Sequence, residues 1–312
     1  MAARQMAVLA AALCALPALV SALSVQGRAG AAQAQTPPDA QERFEELSSG
    51  GWDNSSLSGP GSRPELCKPY PALADFFLRW IGNHRDEVQS MVEVSAGHWP
   101  TGWQRFVEWP DIDYTGVDLL DDVVAADKKY LAEHGKGGLR SMAFQQGDML
   151  LDASLPRADL LFTKDTLIHF PNKYIQQFLN NTVLQCPPKY KYVMFVHDSR
   201  PRDQANNDIN RFGEFHGLQL KNPPFNLKVS TRFKWTASLD GKTRVVQVLR
   251  PEKYCGDTPP TVDLDALEAH ERERERRRKV RARKAHEAEL NAEMPASATD
   301  EAEETAKASE PY

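Results

Sequence analysis

Four carboxylates recur at equivalent places in a repeating local pattern: Glu93 in MVEVSAG, Asp118 in YTGVDLL, Asp148 in FQQGDML and Asp165 in ADLLFTKD. Each lies in or just after a short apolar run of strand character, and helical spacing resumes further on. In an open parallel sheet the rim outside the carboxyl ends of the strands is where ligands bind, so four successive strands bring four acids to one rim. A carboxylate after the second strand has a specific use, because it accepts both hydroxyls of a ribose at once. Asp148 can accept from the exocyclic amine of an adenine. The turn after the first strand, Ser95-Ala96-Gly97, is built of residues small enough for backbone to approach a cofactor closely. Taken singly, an acid at a strand end is most often a helix cap or a solvated loop residue.

The elements that must carry these groups are legible. PALADFFLRWIGN has apolar residues at helical spacing. Strands are expected at 90–95, 113–118, 141–146, 158–163 and 190–197, and helices at 102–109, 120–133 and 171–184. That alternation implies right-handed crossovers and a mostly parallel sheet with helices on both faces. NLKVSTRFKW (226–235) and TRVVQVLR (243–250), separated by Asp240-Gly241, read as an antiparallel edge hairpin.

The segments VEVSAGHWPTGW, YTGVDLL, FQQGDMLLD and ADLLFTKDTLIHFP together resemble the motif series of class I S-adenosylmethionine-dependent methyltransferases. The likeness spans roughly residues 70–250. It extends to NNDINRFGEFHGLQLKNPPFNL (206–227), which is similar to a downstream segment in one branch of that family. The resemblance implies a Rossmann-like α/β sandwich with a seven-stranded sheet, S-adenosylmethionine as cofactor and methyl transfer as activity. Residue by residue, it implies cofactor contacts from Glu93, Ser95, Gly97, Asp118, Asp148 and Asp165. Two departures stand out: Ser95 occupies a position where glycine is usual, and His98 one where an acid is common. Pro100-Thr101-Gly102 lengthens the loop.

A sulfonium methyl is already electrophilic, so the protein must hold the acceptor in line and take its proton. Asp165 and His169 are the candidates for that proton. Each has an ordinary alternative, a turn cap for Asp165 and local packing for His169. His197 and Asp198 form a second polar pair at the fifth strand's end, and His216 and Asn226 lie in a long segment expected to cover the site. Trp99 and Trp103 are expected to pack or to stack on a ligand. Lys164, Arg200 and Arg202 are the cations placed to meet an anionic substrate. Alternatives to the methyltransferase reading are a catalytically inactive binding protein with a charged interaction tail, and a dinucleotide oxidoreductase. The latter lacks its GxGxxG.

The 312-residue chain carries a net charge of -5, with 41% hydrophobic and 26% charged residues. The folded region shows no basic stripe with interleaved aromatics, so nucleic acid is not expected as a partner. The acceptor substrate and oligomeric state are not written in the sequence. Residues 1–22 read as a cleavable signal peptide, pointing to a lumenal or secreted protein. A single-pass anchor and a bipartite organelle leader are the alternatives. Residues 23–66 read as a disordered linker, 67–257 as the methyltransferase-like domain and 258–312 as a charged helical or disordered tail. Among four cysteines, Cys67 and Cys255 flank the domain and form a candidate disulfide. No Cys/His cluster has metal-ligand spacing, so no metal is expected. Asn54-Ser55-Ser56 and Asn180-Asn181-Thr182 fit the glycan-acceptor pattern.

Overall fold

The computed structural model describes residues 36–51, 57, 70–200, 206–236 and 241–256, with isolated helical positions at 276, 279, 280, 283 and 284. The expected signal, its Cys14, residues 58–69 with Cys67, Arg202, the Asn54 triplet and nearly all of the 258–312 tail lie outside these residues. Five parallel strands run β1 Ser90–Val94, β2 Asp113–Asp118, β3 Ser141–Gln146, β4 Leu160–Lys164 and β5 Tyr192–Asp198. The antiparallel β6 Ser230–Thr236 and β7 Thr243–Leu249 complete a seven-stranded sheet in the order β3-β2-β1-β4-β5-β7-β6. The order reverses between β1 and β4, which is where a crevice opens at the carboxyl rim. This is the mostly parallel, Rossmann-like methyltransferase sheet with its antiparallel edge hairpin. The described residues all belong to one unit within Ala34–Tyr312.

Strand alternation divides the core into two faces. Val92 and Val94 of β1 face one cluster, with Ile175 and Phe178 of α4 (Asn172–Phe178). Met91 faces the other, with Phe77 and Ile81 of α2 (Tyr70–Asn83) and Val124 of α3 (Asp121–His134). Each such side chain contributes about 1.5–3 kcal/mol on full burial, more than helices of this length gain from propensity alone. α3 begins with Asp121 and Asp122 against the positive end of its dipole and stops at Gly135, whose φ of 73° closes the helix.

Several boundaries differ from expectation for definable reasons. The helix expected at 102–109 is two 3-10 turns, Trp99–Thr101 and Trp103–Phe106, separated by the extended Gly102. Trp99, Trp103 and half-buried Trp109 all turn into the core from this short stretch. The helix expected at 171–184 is α4 followed by a wide turn at Leu179–Val183. Within that turn Thr182 is buried, its hydroxyl donating to the Met149 carbonyl, so the Asn180 triplet does not present a free acceptor sequence. β6 starts at Ser230 instead of 226, because Phe225, Leu227 and Val229 insert into the core.

Two expectations are overturned. Cys255 pairs with Cys186, at a Cα–Cα separation of 5.5 Å, and not with Cys67. The antiparallel register sets Val193 opposite Leu249, so the chain entering β5 lies beside the chain leaving β7. The two cysteines sit on those flanks. The linker expected at 23–66 contains α1, Pro38–Glu46, and a following turn at Leu47–Gly51, with Ala40 and Leu47 buried. Ala40, Phe44 and Leu47 stand at helical spacing, but three apolar residues between Pro37-Pro38 and Gly50-Gly51 make too short a run to stand out from a linker composition. No helix among the described residues is long and apolar enough to cross a membrane.

Candidate functional site

A cavity of about 340 Å³ opens at the carboxyl rim where β1 and β4 diverge. Glu93, Ser95, Gly97, Asp118, Asp148, Asp165 and His169 all line it. The sequence reading therefore converges on one space, though not every residue plays the part expected of it.

The floor is Glu93. It is buried in the aromatic face of the core and accepts from Tyr114 Oη at 2.7 Å, Trp103 Nε1 at 3.1 Å and Gln104 Nε2 at 3.1 Å. Burial pushes its carboxyl up to about 7, against the pull of those donors and of Lys164. Three donors make Glu93 the anchor beneath the loop. Gln104 also donates to the Ala96 carbonyl at 2.9 Å, tying the loop to the floor. Asp127 on α3 accepts from the Trp99 N–H at 2.8 Å, and burial raises its carboxyl to about 8.

The loop above turns through two left-handed residues, Ser95 at φ 52° and Gly97 at φ 64°. Glycine adopts this conformation freely; serine does so at a cost of about 1 kcal/mol. The Ser95 hydroxyl is directed at Met149 Sδ, 3.5 Å away. Asp118 then holds the loop from the end of β2. One carboxylate oxygen accepts the Gly97 N–H at 2.9 Å and the other the Leu120 N–H at 3.1 Å. Burial raises its pKa, opposed by these backbone donors. A carboxylate has about four lone-pair sites, so two backbone bonds leave capacity for two hydroxyls.

Asp148 differs from expectation. Its carboxylate is engaged by Thr36, through the backbone N–H at 2.7 Å and the hydroxyl at 2.8 Å, and by the Leu150 N–H at 2.8 Å. The residue expected to read adenine thus binds the N-terminal segment.

At the other end, Asp165 has a left-handed backbone, φ 53°, and pairs with the adjacent Lys164. Burial raises its pKa, but Lys164 and Arg244 outweigh that and hold the carboxyl below its ordinary value. His169 lies in the following 3-10 turn, its Nδ1 at 2.9 Å from the Glu214 carbonyl. A carbonyl only accepts, so Nδ1 carries hydrogen and the neutral ring keeps its lone pair on Nε2. Burial lowers the His169 pKa and favours that neutral form. Asp198 completes this end, accepting from Arg244 Nε at 2.8 Å with Lys242 Nζ at 3.8 Å.

Four expected residues are elsewhere. His197 is buried and turned to Gln247 Oε1 at 3.2 Å and the Asp198 carbonyl at 3.0 Å. His216 bridges the carbonyls of Asn207 and Phe170. Neither they nor Asn226 and Arg200 line the cavity. Trp99 packs on Trp109 and Tyr114, and Trp103 on Phe77 and Phe162, as core residues. Sequence reasoning missed Gln104, Asp127, Arg244 and Thr36. Gln104 follows Trp103 in an irregular loop, and Asp127 lies on the buried face of α3, three and four residues beyond Val124 and Val123, a polar residue at a core position; the other two act only through long-range pairing.

The lining fits S-adenosylmethionine. Gln104 Oε1 and Asp165 Oδ1 are buried acceptors without a hydrogen-bond partner among the described residues. The methionine ammonium would supply the donors they lack. Leu119 and Met149 offer an apolar slot for a purine beside Asp118. No group of His, Cys, Asp and Glu among the described residues could hold a metal ion.

Comparison with known proteins bears on the same region. No curated protein matches the chain. Among solved structures, it is similar to magnesium protoporphyrin IX methyltransferase from Synechocystis PCC 6803, at 13% identity and TM-score 0.44, covering 69% of this chain and 98% of that one. It is also similar to an S-adenosylmethionine-dependent methyltransferase from Clostridium acetobutylicum, at 13% identity and TM-score 0.40, covering 58% of this chain and 91% of the other. Residues 85–212 match the family model of the O-methyltransferase domain. They run from the end of α2 through β5 into the segment beside His169, and so include every rim residue from Glu93 to Asp198. Residues 85–212 are thus similar to an O-methyltransferase domain, and they lie within a sheet of the mostly parallel, Rossmann-like order.

Proposed function

We propose that this protein transfers a methyl group from S-adenosylmethionine to an oxygen of a small-molecule or peptide acceptor. The observation that carries the reading is Asp118: a buried carboxylate at the end of β2, clamped by the Gly97 and Leu120 N–H groups inside the rim cavity. That arrangement presents its remaining lone pairs to a ribose and holds the small-residue loop beside it. When bound, the cofactor supplies an electrophilic methyl. The chain's own residues do the rest. Gln104 and Asp165 orient the amino-acid end, and the cavity walls exclude water from the transfer end. His169, its tautomer fixed by the Glu214 carbonyl, takes the acceptor proton at Nε2. Lys164 and Arg244 keep Asp165 ionised. An ionised Asp165 in turn stabilises the imidazolium that proton transfer creates.

The Cys186–Cys255 disulfide supports placing the protein in an oxidising compartment, in line with the signal peptide expected at residues 1–22. The test of the cofactor is calorimetric titration of the purified chain with S-adenosylhomocysteine. Micromolar binding is the expected result; no heat at millimolar ligand removes the reading.

A further inference from the structure

The N-terminal segment does more than pass by the domain. Thr36 places two donors on Asp148, a backbone N–H and a hydroxyl. Hydrogen bonds to an ionised acceptor are the strong ones. One turn into α1, the Phe44 ring lies 5.9 Å from Phe170 and 5.8 Å from Phe212. Leu47 seats over Gly213, where even a Cβ would come within 2.5 Å of the Leu47 side chain. The segment is therefore fixed at three points: the end of β3, the turn after His169, and the long segment that follows β5. Thr36, Phe44 and Leu57 line the cavity from this side, and about 340 Å³ remains beneath them. A segment that plugged the site would leave no such space.

We propose that Thr36–Gly51 is the roof of the cofactor cavity, latched by Thr36 on Asp148, and that it slows the departure of the bound nucleoside. This rests on the cofactor reading above. It gives Asp148 the role of a strike plate for the latch in place of an adenine reader. A nucleoside enters when the latch is open and is shielded from water on its exposed edge when it shuts.

The test is the rate of S-adenosylhomocysteine dissociation, by stopped-flow displacement, from the full chain and from Thr36→Val and Phe44→Ala. Phe44→Ala should dissociate about tenfold faster, and Thr36→Val several-fold faster, as expected for one apolar anchor and one charge-assisted hydrogen bond. Association should not slow in either, because a weakened latch is open more of the time. In the wild-type chain, amide exchange across 38–46 should slow when ligand is bound. Thr36→Val changes only the latch, so its result stands even if Phe44→Ala folds poorly. Dissociation rates unchanged in both variants would overturn the roof, and faster association with unchanged dissociation would identify a competing plug instead. Failure of the wild-type chain to bind ligand at all would instead sink the cofactor reading.

Discussion

The two ends of the cavity hold their carboxylates by different means. At the adenosyl end Asp118 is bonded by backbone N–H groups of the loops it joins, and Asp148 by a neighbouring N–H and by Thr36. At the transfer end Asp165 and Asp198 are matched with side-chain cations, Lys164, Arg244 and Lys242. The amides that hold Asp118 are fixed dipoles of its own loops, so that part of the first end is preorganised for a constant ligand, and only Thr36 on Asp148 can move away. Side-chain cations can re-pair as the acceptor arrives and as charge shifts during transfer. On the proposed function, the first end serves recognition and the other end chemistry.

Substitutions should separate the two ends cleanly. His169→Asn should lower kcat by about 100- to 10,000-fold, the usual contribution of a positioned general base. Affinity for S-adenosylhomocysteine should be unchanged; a parallel loss of affinity would place His169 at the cofactor end. In the wild-type enzyme the acidic limb of the kcat profile should fall below pH 6.5, because burial lowers the pKa of His169. Asp118→Ala gives the mirror result. Two charge-assisted bonds to a ribose, about 1.5–3 kcal/mol each, predict at least a ~100-fold loss of cofactor affinity in calorimetry. An undiminished affinity would move the ribose elsewhere.

Glu93 belongs to neither end, and its pH dependence tests whether it is a floor. Its carboxyl titrates near 7 in the fold against 4.5 as a free group. The folded state therefore keeps a proton between pH 4.5 and 7 that the unfolded chain has released. The stabilisation is complete below pH 4.5 and is lost as pH rises through 7, a change of about 3 kcal/mol. Glu93→Gln cannot titrate, so denaturant unfolding should show wild type losing stability relative to the variant across that interval. A constant gap between the two proteins would mean that Glu93 is ionised throughout, held by Tyr114, Trp103 and Gln104.

The contrast between the two ends also explains what the sequence reveals. Glu93, Gly97, Asp118 and Asp148 lie in or within three residues of the ends of β1, β2 and β3, whose alternation with helical segments is visible in the sequence. Local order fixes such positions, so they are legible. Arg244 meets Asp198 across 46 residues, and Thr36 meets Asp148 across 112. Nothing in the spacing of either pair records the meeting. The disulfide was misassigned for the same reason, since only the antiparallel register of β7 against β5 brings Cys186 to Cys255. His197 misled in the other sense. It follows the same strand-end rule as Asp198, but alternation along β5 turns it away, toward Gln247.

Ser95 gives the finest test of the adenosyl end. The fold asks for a left-handed residue there and receives one at a steric cost. If the loop's shape is set by the Asp118 and Gln104 clamps, the strain is local and glycine relieves it. Ser95→Gly should then raise stability by up to about 1 kcal/mol, with the gain reduced by the greater freedom of glycine in the unfolded chain. Cofactor affinity should shift by less than about threefold, because the clamped backbone keeps its path. A thermal melt and one titration measure both. A large drop in affinity would mean that the serine hydroxyl itself contacts the ligand. The bond toward Met149 would then be a resting position, exchanged for the cofactor when it binds.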